Sequence, residues 1–168
     1  MAKVSEYGLI RSICRESFFD FVKEFWHIVV PEKPVWNWHI PFLCDEMQKA
    51  AELVFAGKPK EYDIIINVPP GSSKSTICSI MFPAWTWTRM PTARHICASY
   101  SFPLAVDLGR KSRDVVMSDK YKACFPNVTL RDDQNTKHYF QNSYGGTRYS
   151  VGVNGSVTGM HAHFLNVD

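Results

Sequence analysis

The sequence has no C-x-x-C pair, no long apolar run and no complete glycine-rich phosphate motif, and each absence narrows the field. Its five cysteines, Cys14, Cys44, Cys78, Cys97 and Cys124, are scattered and odd in number. That argues against a disulfide framework or a zinc site and marks them as reduced core residues. No stretch approaches the ~20 apolar residues of a membrane span, and the N-terminus MAKVSEYGLIRSICRESFF lacks the uninterrupted apolar run of a signal peptide. The expected setting is the cytoplasm, with no membrane partner. A net charge of +3 permits contact with a polyanion without requiring one. His138, His161 and His163 lack metal-ligand spacing with a nearby acid cluster, and Asp132-Asp133 sits in a polar segment that reads as a solvated loop. There is no internal repeat and no low-complexity linker.

What is present is a foldable α/β pattern. With 168 residues, 45% hydrophobic and 21% charged, the chain can bury one sizeable core. Between Glu16 and Val30 the residues Phe18, Phe19, Val22, Phe25, Trp26 and Val29 recur at three- and four-residue steps, which predicts an amphipathic helix ended by Pro31 and Pro34. A second helical stripe runs from about His39 to Phe55, with Gly57 as its stop. Tyr62–Val68, Arg94–Tyr100 and Ala162–Asp168 read as buried strands. The region from about Pro103 to Ser118 reads as a helix between the second and third of them. This alternation implies a mainly parallel sheet flanked by helices. From Lys137 to Val153 the pattern changes to a β-hairpin turning at Gly145-Gly146.

The stretch Asn67-Val-Pro-Pro-Gly-Ser-Ser-Lys-Ser-Thr76 carries the chemistry. Aligned on Lys74-Ser75, a G-x-x-x-x-G-K-[ST] loop would place its glycines at Val68 and Ser73. Phosphate binding, however, needs a row of converging backbone N–H groups at a helix N-terminus rather than particular side chains. Gly71 supplies one permissive position, and Ser72 and Ser73 are small. Lys74 would then reach the β- and γ-phosphates, and Ser75 would join a magnesium shell that Asp168 orients from its strand end. Pro-Pro-Gly-Ser-Ser is equally the composition of a plain surface turn. A strand before it, a helix after it, in which Pro83 predicts a kink or shortening, and a later strand ending in an acid favour the phosphate loop.

These residues resemble the large terminase subunits of tailed bacteriophages, from about Trp38 to Asp168. VPPGSSKST is similar to that family's deviant Walker A loop. ICASYSFPLAVDLGRKSRDVVMSDKYKACFP resembles its A-S-Y-S stretch with an arginine-bearing helix and terminal F-P, and GVNGSVTGMHAHFLNVD resembles the approach to its Walker B strand. The resemblance implies a P-loop NTPase-like α/β fold, with residues 1–60 as an N-terminal helical segment and 61–168 as a partial ATPase core carrying an inserted hairpin. It implies ATP and Mg2+ as cofactors, held by Pro70, Gly71, Ser72, Ser73, Lys74, Ser75 and Thr76. Lys74 and Asp168 would be catalytic, and Ser75 and Asp168 the metal ligands. Trp38 and His39 fall where the family contacts adenine, while Trp36 and Trp38 could equally pin two helices together.

The implied function is an ATPase motor that moves double-stranded viral DNA into a capsid in the infected host's cytoplasm. The implied partners are a portal protein, a small terminase subunit and other copies in a ring. The pattern departs from the family in three places. No arginine lies between Val68 and Ser73, Thr158 stands where an arginine is common, and the sequence ends at Asp168. The expected consequences are an incomplete C-terminus, an absent nuclease domain, a gap mid-sheet, and nucleotide binding with weak hydrolysis. Arg110, Arg113 and Arg148 are the other arginines considered, each also readable as an exposed salt-bridging residue. A nucleic-acid or partner-binding fragment acting through the helix around Arg110, or another P-loop enzyme such as a helicase, are the alternative functions.

Overall fold

The computed structural model describes residues 5–168. Helix α1 (Glu6–Glu16) is capped by Ser5, whose side chain accepts from Gly8 N, and α2 (Phe18–Val29) by Ser17, whose side chain accepts from Asp20 N. Ser17 is extended, at φ −133°, so it ends one helix and starts the next. The spacing predicted α2 but not α1, whose one fully buried residue is Cys14. Helix α3 spans His39–Phe55 as expected. It closes with Gly57 at φ +64°, Gly57 N bonding Val54 O at 3.0 Å and Lys58 N bonding Leu53 O at 2.8 Å. This paired closure needs a left-handed residue, the role glycine fills.

Past the loop, the chain forms a π-helical turn (Thr76–Met81), then α4 (Phe82–Arg89), β1 (Arg94–Ser99), α5 (Phe102–Met117), α6 (Asp119–Cys124), β2 (Leu130–Asn135), β3 (Tyr139–Asn142), β4 (Thr147–Gly152) and β5 (Phe164–Val167). The five strands make one mixed sheet in the order β2-β3-β4-β1-β5. Strand β1 runs parallel to both β4 and β5, while β2-β3 and β3-β4 are antiparallel. The expected hairpin is therefore β3-β4, with Gly145 at φ +81° in its turn. The architecture is mixed α/β, an open five-stranded sheet flanked by helices. Among the described residues, no helix is long and apolar enough to cross a membrane.

The core is aromatic and lies chiefly among the helices. Phe18, Phe21, Phe25, Trp85 and Tyr121 are each fully buried, with Phe21 stacked on Phe25 at 4.5 Å and Phe18 tilted against Trp85 at 4.9 Å. Their polar atoms are satisfied, as burial requires. Trp85 Nε1 donates to Cys14 O at 2.9 Å, and Tyr121 OH to Ala84 O at 2.9 Å. All five cysteines are buried and free. Trp36 packs against Phe19 and Trp26, both on α2, whereas Trp38 is 78% exposed.

Four sequence expectations fail. Tyr62–Val68 joins no ladder, and Ile65 in its middle is 91% exposed. A β-branched run becomes a strand only where a neighbouring edge pairs with it, and here a cleft lies between it and β5. The strand containing Phe164–Val167 forms, but at the sheet edge, with Leu165 65% and Val167 77% exposed. Asp132-Asp133 is not in a loop but in the exposed strand β2, where Arg131 pairs with Asp133. Arg148 is not an exposed salt-bridging residue, since its exposure is 0%.

Candidate functional site

The loop folds as its backbone chemistry demands. Gly71 has φ +79° and Ser73 φ +62°, so two left-handed residues bend the chain into the helix that begins at Lys74. Ser73 occupies the position where the standard motif has its second glycine, which identifies the conformation that glycine normally supplies. A non-glycine residue there is uncommon and costs conformational energy. Ser72 Oγ donates to Pro69 O at 2.6 Å and braces the turn. The first backbone bond of the helix runs from Ile77 N to Ser73 O at 3.0 Å. The preceding N–H groups of Lys74, Ser75 and Thr76 have no helical acceptor and point out of a helix N-terminus, the geometry that attracts anions. Residues 68–76, Pro69 and Pro70 among them, line a depression of about 390 Å³.

The structure brings Lys74 and Asp168 together. Lys74 Nζ lies 2.8 Å from Asp168 Oδ1, with the carboxylate side chain only 10% exposed. Its bond to Asp168 holds the Lys74 ammonium above its ordinary value. Asp168 Oδ2 also receives Ser79 Oγ at 3.4 Å. Beside them lies a cleft of about 430 Å³ lined by Tyr62, Ile64, Cys78, Phe164 and Asn166 among others. Burial pushes the Cys78 thiol up to about 12, with the Asp168 charge adding to the effect, so this cysteine stays protonated and is no nucleophile. Lys74 lines both the cleft and the loop depression.

The other expected residues fall in distinct places. Ser75 precedes the π turn and lines the loop depression with Thr76, the first residue of that turn. His39 reaches the loop, its Nε2 lying 3.4 Å from Ser72 O. Trp38 stands edge-on to His39 at 6.2 Å, its face open to solvent. Ser75 and Asp168 offer the hard oxygen donors a magnesium ion accepts, and such ions complete their shell with phosphate and water. Arg110 pairs with Asp107 and Asp114 along its own helix, the exposed role expected of it. Arg113 donates to Asn135 Oδ1 at 3.3 Å.

Sequence reasoning passed over Ser79 and Asn166. Asn166 Nδ2 donates to Cys78 O at 2.6 Å from β5. The signal was available in Pro83, whose missing N–H orphans carbonyls in the preceding turn. Comparison with protein-family models and with curated proteins finds no match.

Proposed function

We propose that this chain is the nucleotide-binding part of a P-loop ATPase, and specifically the motor module of a phage DNA-packaging terminase. The observation that carries the reading is the 2.8 Å contact between Lys74 and Asp168, which joins a lysine after a Pro-Pro-Gly-Ser-Ser turn to an acid 94 positions later at the end of a strand. A surface turn gives no reason for that meeting. Open N–H groups at a helix start, a lysine beside them and a strand-end carboxylate form a constellation suited to a polyphosphate and its cation.

In this reading the N–H groups of residues 72–76 bind the phosphate oxygens, and Lys74 exchanges Asp168 for the β- and γ-phosphates. Ser75 Oγ and the Asp168 carboxylate would be the residues that hold Mg2+, which when bound would neutralise phosphate charge. His39, which reaches Ser72 O, and the exposed Trp38 beside it would be the residues available to stack on a base. Duplex DNA would be the track, gripped through its backbone without sequence preference, with a portal protein, a small subunit and further copies completing the machine.

Equilibrium binding of a fluorescent ATP analogue with Mg2+, to the wild-type chain and to Lys74→Ala of equal helix content, tests the reading. Saturable binding lost in the variant is expected. A folded wild-type chain that does not bind, or a variant that binds as well, overturns it.

A further inference from the structure

The helix after the loop contains a proline that its hydrogen bonding must accommodate. Pro83 lies four residues after Ser79 and five after Cys78, so it withholds the N–H that an α-helical bond would give Ser79 O and that a π-helical bond would give Cys78 O. The helix widens: Phe82 N bonds Ile77 O, five residues back. Both orphaned carbonyls are then served by side chains from the sheet. Asn166 Nδ2 of β5 donates to Cys78 O at 2.6 Å, and Arg148 Nη2 of β4 donates to Ser79 O at 3.0 Å. The next carbonyl, Ile80 O, takes Ser112 Oγ of α5 at 2.8 Å.

Arg148 is an expensive choice of donor. Its side chain is fully buried, its other recorded bond is Nη1 to Ser150 Oγ at 2.6 Å, and its Nε has no partner. Both acceptors are uncharged, so a buried cation stands without a contacting carboxylate, an arrangement that costs stability unless the charge has a use. Space for it is built in. A Cβ on Gly109, inside α5, would lie 2.6 Å from both Arg148 Nη1 and Ser150 Oγ. A glycine there gives up about 1 kcal/mol of helix propensity. The residue whose carbonyl Arg148 holds is the one whose hydroxyl faces Asp168.

We infer that Arg148 is a positioning residue for the phosphate site: it replaces the N–H that Pro83 lacks, fixes the π turn to β4, and so sets Ser79, Asp168 and Lys74 in register. This rests on the phosphate-site reading above and adds a residue that never touches the nucleotide. A bond to Ser79 O from a rigid strand stops the turn from sliding along the sheet, and Lys74 rides on the start of the same helix.

The test is a double-mutant cycle read by MgATP-analogue affinity, with and without Mg2+, at a temperature where every variant is folded. Arg148→Met is expected to weaken Mg2+-dependent binding on the order of tenfold, as loss of an outer support does at metal sites. Pro83→Ala restores the missing N–H, so it should change little alone and recover most of the affinity in the Arg148→Met background. Gly109→Ala, which displaces the guanidinium, should mimic Arg148→Met and be rescued likewise. If the wild type binds and Arg148→Met and Gly109→Ala bind equally well, or if Pro83→Ala rescues neither, the inference is overturned while the phosphate-site reading stands. A folded wild type that binds no nucleotide overturns both.

Discussion

Two regions of this molecule are built on opposite terms. Among α1, α2, α4 and α6 the aromatic residues Phe18, Phe21, Phe25, Trp85 and Tyr121 are sealed from water, with their polar atoms bonded to backbone carbonyls. Around β5 and residues 62–68, apolar side chains such as Ile65, Leu165 and Val167 face solvent, and the ion pair between Lys74 and Asp168 borders the cleft beside them. The first region supplies stability and the second supplies access. The proposed phosphate site would need both, a well-packed helix and an N-terminus left uncovered.

The contrast predicts a gradient of mutational effects. Trp85→Ala should cost about 3–5 kcal/mol in denaturant unfolding, because it empties the centre of the aromatic cluster. A cost below 1 kcal/mol would erase the distinction between the regions.

Next in size is an acid effect centred on His95. Its ring is buried and stacked on Phe164 at 4.9 Å, Nε2 meets Thr86 Oγ1 at 2.7 Å, and Nδ1 has no partner. Burial first, then the charges of Arg148 and His163, lower its pKa from 6.5 to about 3. Below 6.5 the unfolded chain therefore binds a proton that the native chain refuses. The stability contribution is complete above 6.5 and falls by about 1.4 kcal/mol per pH unit toward about 3. Unfolding free energies at pH 6.5 and 4.5 should differ by about 2 kcal/mol from this group, and His95→Gln should flatten that slope. An unchanged slope in the variant would assign the acid lability elsewhere.

Lys74→Ala should lower stability by about 1–2 kcal/mol, since the lysine is partly exposed but its loss strands a carboxylate that is only 10% exposed. It should nevertheless abolish nucleotide binding, and thermal melts beside the binding assay would separate the two. Smallest of all, Ile65→Thr should lie within about 0.5 kcal/mol of wild type. A larger loss by the same melts would mean that 62–68 is packed in solution after all.

Helices α2, α3 and α5 were legible because each carries a stripe whose period matches its own geometry. The β3-β4 hairpin was legible because Gly145-Gly146 makes a turn that few other pairs allow. The loop and its two charged partners were legible as residue types, though their meeting was only an expectation. Helix α1 and strand β2 were missed because neither buries a regular face, so their placement depends on caps and on a neighbouring strand.

What the sequence determined by itself was local: which segments are amphipathic, where the turns fall, and that Lys74 follows a turn able to expose N–H groups. The tertiary structure alone decided that Tyr62–Val68 stands outside the sheet, that Pro83, where a kink or shortening was expected, goes with a π-widened turn, and that Arg148 lies buried against Ser79. The physical reason is that spacing reports what a residue's own neighbours require. Ladder partners, orphaned carbonyls and the space for a guanidinium come from residues tens of positions away, and only folding brings them into contact.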